Sequence, residues 1–216
     1  MVSPPTTTTY PQEFVLAEKR VTLRVNWAGY RTILNTLGAD RAAQLTYRHG
    51  ILEIMTPLEA HENASGLIGQ FIEIVTEELN LNIKTMGSTT LNRDELDSGA
   101  EPDQGYYIAN EPLVRGKRAD LSIDPPPDLV VEIDITHTDI DKNALYAELR
   151  IPEFWRYNGK VLRIYQLEGN RYQEVDISPT FPLIPKEQLY AFLHDCAQQG
   201  ETPAKRKLRV WLREMK

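Results

Sequence analysis

The sequence is short of several things, and each shortage excludes a class of protein. Its 216 residues include one cysteine, Cys196, so there is no intrachain disulfide and no paired Cys spacing of a zinc or thiol-redox motif. A reducing, cytoplasmic setting is therefore expected. No window approaches 18 uninterrupted apolar residues, which leaves no candidate membrane-spanning helix. Met1 to Gln12 carries Pro4, Pro5 and four consecutive threonines, not the basic-then-apolar order of a secretory leader. Basic residues are also scarce: 24 Lys and Arg stand against 31 Asp and Glu, a net charge of −7. That balance argues against a protein that coats nucleic acid non-specifically and confines any DNA contact to a local patch. There is no Gly-rich phosphate loop, Gly-x-Ser-x-Gly elbow or His-Glu-x-x-His helix, so nucleotide-driven motors, serine hydrolases and zincins lose support.

What is present suits one globular domain. The hydrophobic fraction of 41% and the length allow a proper core. The Thr/Pro-rich start, residues 1–14, is expected to be a flexible tail, residues 15–195 the domain, and residues 196–216 a basic C-terminal helix packed on it or extending from it. In that last segment Lys205, Arg206, Lys207, Arg209, Arg213 and Lys216 interleave with Leu208, Val210, Trp211 and Leu212. It reads either as a solvated helix face or as a contact to a DNA backbone or partner.

Gly50 to Pro57 alternates loosely and stops at proline, as a strand does. Leu67, Ile68, Phe71, Ile72, Val75 and Leu79 recur at helical spacing between Glu59 and Asn80, the clearest long helix. Trp27 to Leu37 and Asp40 to Tyr47 read as short helix and strand, and strands are expected at Lys84 to Leu91, Gly105 to Ile108 and Asp128 to Ile135. A helix from about Asp139 to Arg150 is ended by Pro152. Trp155 to Leu167 and Arg171 to Val175 read as a hairpin joined at Glu168-Gly169-Asn170. This order argues for one α/β or α+β domain with a mixed sheet.

The most informative stretch is Pro127-Asp128-Leu129-Val130-Val131-Glu132-Ile133-Asp134-Ile135. Strand alternation gives Leu129, Val131, Ile133 and Ile135 one face and Asp128, Val130, Glu132 and Asp134 the other. Carboxylates lined up this way repel unless a cation or proton relieves them. A hard divalent cation such as Mg²⁺ would do so, and a solvated strand face would also explain the pattern. Upstream, Glu101-Pro102-Asp103 could supply a second strand-borne carboxylate. Downstream, Lys142 lies in the first turn of a helix, where the dipole favours anions rather than cations. His61 falls near the apolar stripe of the long helix, as a buried structural histidine or a site residue, and Glu53 could point the same way.

Taken together, these residues resemble a family. A Pro-Asp step, a Glu 29 residues later inside an apolar strand, and a helix bearing Lys resemble the PD-(D/E)XK restriction-endonuclease-like superfamily. Pro-Asp-Leu-Val-Val-Glu, Lys142 with Tyr146 four later, and Ile-Pro-Glu-Phe-Trp at Ile151 to Trp155 are similar, more narrowly, to the Uma-two family of endonucleases. The Gly50 to Pro57 strand with Met55, and the His61 that follows, also match that family. The resemblance spans roughly Arg20 to Leu193. It implies an α/β (α+β-like) restriction-endonuclease-like core with a mixed central sheet flanked by helices. It also implies Mg²⁺, with Mn²⁺ as a substitute, and DNA as the substrate.

Position by position, the resemblance makes Asp103 the first metal ligand and Glu132 the second, with Asp128 a decoy on the same strand as Glu132. The superfamily places a Lys two residues after that Glu, where this chain has Asp134. Lys142 would then supply the ammonium from the helix, with Asp134 an additional ligand or a hydrogen-bond acceptor behind the ligands. His61 would stand near the metal. The catalytic set is thus Asp103, Glu132, Lys142, Asp134 and His61. A homodimer is an expectation for double-strand cutting. The competing readings are a catalytically degenerate nuclease fold kept for DNA binding or protein interaction, and a structural dimerising domain using Trp155, Tyr157 and the C-terminal helix.

Overall fold

The computed structural model describes residues 18–38 and 40–215; the expected tail, residues 1–14, lies outside them. In chain order the elements are β1 (Glu18–Arg24), α1 (Trp27–Leu37), β2 (Gln44–Arg48), β3 (Ile51–Pro57), α2 (Glu59–Glu78), β4 (Lys84–Thr85), β5 (Leu91–Arg93), β6 (Ser98–Ala100) and β7 (Gln104–Tyr107). They continue with α3 (Glu111–Val114), β8 (Leu129–Ile133), α4 (Lys142–Glu148), β9 (Glu153–Tyr157), β10 (Leu162–Glu168), β11 (Arg171–Val175), α5 (Lys186–Gln199) and α6 (Glu201–Glu214).

The fold is mixed α/β, with two sheets. One is antiparallel, in the order β1-β3-β2-β6-β5; the other runs β11-β10-β9-β8-β7-β4. Only the β8–β9 pair is parallel among the described strands. A parallel pair needs a crossover, and α4 supplies it. This is the mixed central sheet that the sequence pattern implies. The second sheet was not foreseen, and the expected strand over Lys84 to Leu91 is in fact β4 and the start of β5, one in each sheet. Trp155 to Leu167 is likewise divided by a turn at Asn158, where Lys160 N and Val161 N donate to the Asn158 side chain.

The alternation of β8 sorts the core. Leu129, Val131 and Ile133 pack with Ile68, Phe71, Ile72 and Val75 of α2 and with Leu189, Phe192, Leu208 and Leu212 of α5 and α6. Val130 faces the other way, into a cluster with Leu145 and Tyr146 of α4, Leu149 just past it and Phe154 of β9. The sheet therefore has helices on both faces, and Glu132 shares the α4 face with Val130. A third cluster, Tyr30, Leu45, Tyr47 and Leu52, closes the first sheet against α1.

The chain turns from α5 into α6 at Gly200, whose φ of 88° lies in the left-handed region that glycine adopts without strain. The basic side chains of α6 are largely paired within the chain. Arg209 meets Glu77 at 2.7 Å, Arg213 meets Glu78 at 2.7 Å, and Lys207 meets Asp195 at 2.7 Å. They tie α6 to α2 and α5, which removes most of the charge a DNA contact would need.

Arg213, against the opposing effect of desolvation and with Arg209 assisting, holds the Glu78 carboxyl below the usual carboxylate range. A lowered folded-state value contributes stability above the unfolded-state value and loses it as pH falls through the folded one. Glu78→Gln is therefore expected to lower the thermal midpoint by a constant margin above about pH 5, with the gap closing at lower pH. A gap that stayed constant down to about pH 3 would show that the carboxylate charge is not what anchors α6.

Candidate active site

β7 and β8 pair with Gln104 opposite Val131, so one step further along the register sets Asp103 beside Glu132. The Asp103 side chain is buried and its Oδ2 accepts from Ile133 N at 2.6 Å. Its Oδ1 is buried without a hydrogen-bond partner. His61, in the first turn of α2, brings Nε2 to 3.2 Å from Asp103 Oδ2, although neither ring nitrogen forms a hydrogen bond. Burial works against a charged His61 ring, and Asp103, with Glu18 and Glu132, overcomes it and raises the His61 pKa.

The crossover delivers the cation. Asp141 caps α4 by accepting from Ala144 N at 3.0 Å, and the next residue, Lys142, turns inward and is 2% exposed. Its Nζ lies 2.6 Å from Glu132 Oε2 and 2.8 Å from Asp134 Oδ1. One turn further on, the Tyr146 hydroxyl donates to Glu132 Oε1. This explains a lysine at a helix start: its partners are the strand carboxylates, not the helix dipole. Burial lifts the Glu132 carboxyl above the usual range, opposed by Lys142 and reinforced by Asp103 and Asp134. For Lys142 burial works the other way, and Asp134 and Glu132 overcome it to raise the ammonium.

Asp134 has a different neighbourhood. Besides Lys142, its Oδ1 is 3.4 Å from Arg20 and its Oδ2 accepts from Arg156 Nε at 2.7 Å. These cations more than offset desolvation and hold its pKa down. Arg20 and Glu18, on β1, were not foreseen. The Arg20 guanidinium joins Glu18, Glu53 and Thr136, and Glu18 also accepts from Ile135 N at 3.1 Å. The signal was present, since strand alternation places Glu18 and Arg20 on one face. The exposed Val21 and Leu23 of β1 hid it by giving no buried apolar stripe. Glu53 points inward, accepting from Thr138 at 2.9 Å. Asp128 lies elsewhere: it accepts from Ile108 N at 2.6 Å and from Asn110 N at 2.9 Å, fixing the turn before α3. His137 is exposed at the surface.

The cluster thus holds five buried carboxylates, Glu18, Glu53, Asp103, Glu132 and Asp134, against three fixed cations, Arg20, Lys142 and Arg156. His61 stands with them, 3.2 Å from Asp103. Among the described residues no three His, Cys, Asp or Glu side chains are arranged as a ready metal cage, because Asp134 is engaged by its cations and Lys142 occupies the space between Glu132 and Asp134. Asp103 and Glu132 still fit a Mg²⁺ site built from two carboxylates with water and phosphate completing the shell. The unpartnered Asp103 Oδ1 is the available donor.

A sequence model of the Uma2 family, described as "Putative restriction endonuclease", matches residues 28–192. The span includes His61, Asp103, Glu132 and Lys142 and stops short of Glu18 and Arg20. No curated protein matches. Among solved structures, a crystal structure titled as a "putative nuclease belonging to DUF820" from Anabaena variabilis is similar with a TM-score of 0.52 at 15% identity, over 77% of this chain and 98% of that one. That likeness supports the fold. No helix among the described residues is long and apolar enough to cross a membrane.

Proposed function

This chain belongs to the Uma2 family, and on that ground we propose that it is a divalent-metal-dependent endonuclease hydrolysing DNA phosphodiester bonds, with Asp103 and Glu132 as metal ligands. The observation that carries this reading is the buried, unpartnered Asp103 Oδ1 beside Glu132, in a cluster of five buried carboxylates. Mg²⁺ held there would polarise the scissile phosphate and lower the pKa of an attacking water. Lys142 uses two of its three N–H donors on Glu132 and Asp134. The third remains for a phosphate oxygen, where a fixed positive charge stabilises the charge that develops in the transition state. Tyr146 fixes the Glu132 rotamer. His61 positions Asp103, and Asp134 acts behind the ligands by orienting Lys142, since three cations, Lys142, Arg20 and Arg156, already hold it.

One observation favours a second reading. Asp103, Glu132 and Lys142 are all at most 5% exposed, and their mutual pairing would suit a degenerate module that binds nucleic acid or protein without cutting. Calorimetric titration with Mn²⁺ separates the two. Saturable binding by the wild type that is lost in Asp103→Asn and in Glu132→Gln, accompanied by nicking of plasmid DNA, is the expected result. Equal heats in all three proteins, or metal binding without any nicking, would move the assignment to the degenerate module.

A further inference from the structure

The face of α4 opposite Lys142 and Tyr146 borders a cavity of about 720 Å³, walled also by the end of β5 and the β10–β11 hairpin. Three arginines from three elements line it: Arg93 of β5, Arg150 just past α4, and Arg171 of β11. In a chain of net charge −7 such a convergence is a local positive feature. The acids of the same wall are already occupied. Glu148 pairs with Arg48 at 2.6 Å, and Asp141 caps α4. Arg93 pairs with Glu95, whereas Arg150 and Arg171 have no carboxylate partner among the described residues.

Arg150 is also in an unfavourable backbone conformation. Its N–H bonds Ala147 O at 3.1 Å and the next N–H, of Ile151, bonds Tyr146 O at 3.1 Å, the Schellman ending of a helix. The residue at this position takes a left-handed φ, here 62°, which glycine adopts freely and a side chain with Cβ does not. An arginine retained there gives up stability for its side chain. The guanidinium is held in place by donating to Gly169 O at 2.6 Å in the hairpin turn. Ala144 and Ala147 form a low floor to the cavity, which lets a bulky ligand approach the helix.

We infer that this cavity is a binding site for phosphate esters of a nucleic-acid strand, with Arg150 and Arg171 as its charge-bearing contacts, separate from the phosphate at Asp103 and Glu132. The choice of a strand rests on the nuclease reading above. Phosphate contacts of this kind position a strand and carry no sequence preference.

The test is fluorescence anisotropy of a labelled oligodeoxythymidine in EDTA, which keeps the metal site out of the measurement. Arg150→Gly combined with Arg171→Ala is expected to weaken binding at least about tenfold and to flatten the dependence of log K on log salt by about 1.4, two phosphates' worth. Arg150→Gly alone should not lower the thermal midpoint, because glycine fits that φ, and the Mn²⁺ titration of both variants should match the wild type. Unchanged affinity in the double variant, or no oligonucleotide binding by the wild type, overturns the inference. So does full competition by thymidine monophosphate at equal phosphate concentration, which would assign the cavity to a free nucleotide. If the Mn²⁺ titration fails while the arginine effect stands, the nuclease reading falls and the strand site remains.

Discussion

Lys142→Met is expected to destabilise the protein by about 3–5 kcal/mol and to abolish nicking. The ammonium is 2% exposed and lies between two carboxylates that are themselves buried. Met fills most of the same volume, so the loss isolates charge from packing. Without the ammonium, Glu132 and Asp134 face each other in a low-dielectric interior, and Asp103 adds a third charge nearby. Urea unfolding would read the cost. Lys142→Met combined with Glu132→Gln should recover part of it, since one uncompensated charge is then gone. Mn²⁺ should raise the midpoint of Lys142→Met by more than that of the wild type, because a cation then replaces the missing charge. A Lys142→Met protein as stable as the wild type would mean that Glu132 already holds a proton and that the pair contributes no net charge interaction.

Phe154→Ala should cost about 3–5 kcal/mol, the range for removing a fully buried aromatic ring and leaving a cavity. Phe154 is central on β9 and fully buried. Its ring centroid lies 4.9 Å from that of Tyr146, 5.7 Å from Tyr165 and 5.8 Å from Tyr172. The cavity would open behind Tyr146, whose hydroxyl holds Glu132. The substitution is thus expected to weaken Mn²⁺ binding as well as stability. Tyr146→Phe separates the two effects: it keeps the ring and its packing, so metal affinity should fall with a far smaller change in the urea midpoint. Loss of stability in Phe154→Ala with unaltered Mn²⁺ affinity would show that the tyrosine is held by α4 alone.

Legibility in the sequence followed burial. The helix expected from Glu59 to Asn80 is found at Glu59–Glu78, because its apolar residues repeat at the helical period and all of them meet the core. The strand around Glu132 is found at Leu129–Ile133, since its two faces enter two different clusters and the alternation is strict. The helix expected from Asp139 to Arg150 is shorter, Lys142–Glu148, with Asp141 spent as its cap. β1 was missed for the opposite reason. Its apolar residues Val21 and Leu23 are exposed while Glu18 is buried and Arg20 half-buried, the reverse of the pattern that marks a strand.

The sequence by itself determined which chemistry is available: one cysteine, no phosphate loop, a strand carrying alternate carboxylates, and a lysine where a helix dipole does not want one. Local rules act over a few residues, and these features are all local. Only the tertiary structure decided which carboxylates meet. Asp103 and Glu132 are neighbours through the β7–β8 register, Lys142 reaches them because a parallel pair requires a crossover helix, and Arg20 arrives from more than a hundred residues away. It also divided the acids by what surrounds them. Asp134 is fully occupied by cations, Asp128 by two backbone N–H groups and the Asn110 side chain, and Asp103 keeps one oxygen unpartnered. Coulomb energy and desolvation depend on distances through space, and the order of residues along the chain does not contain those distances.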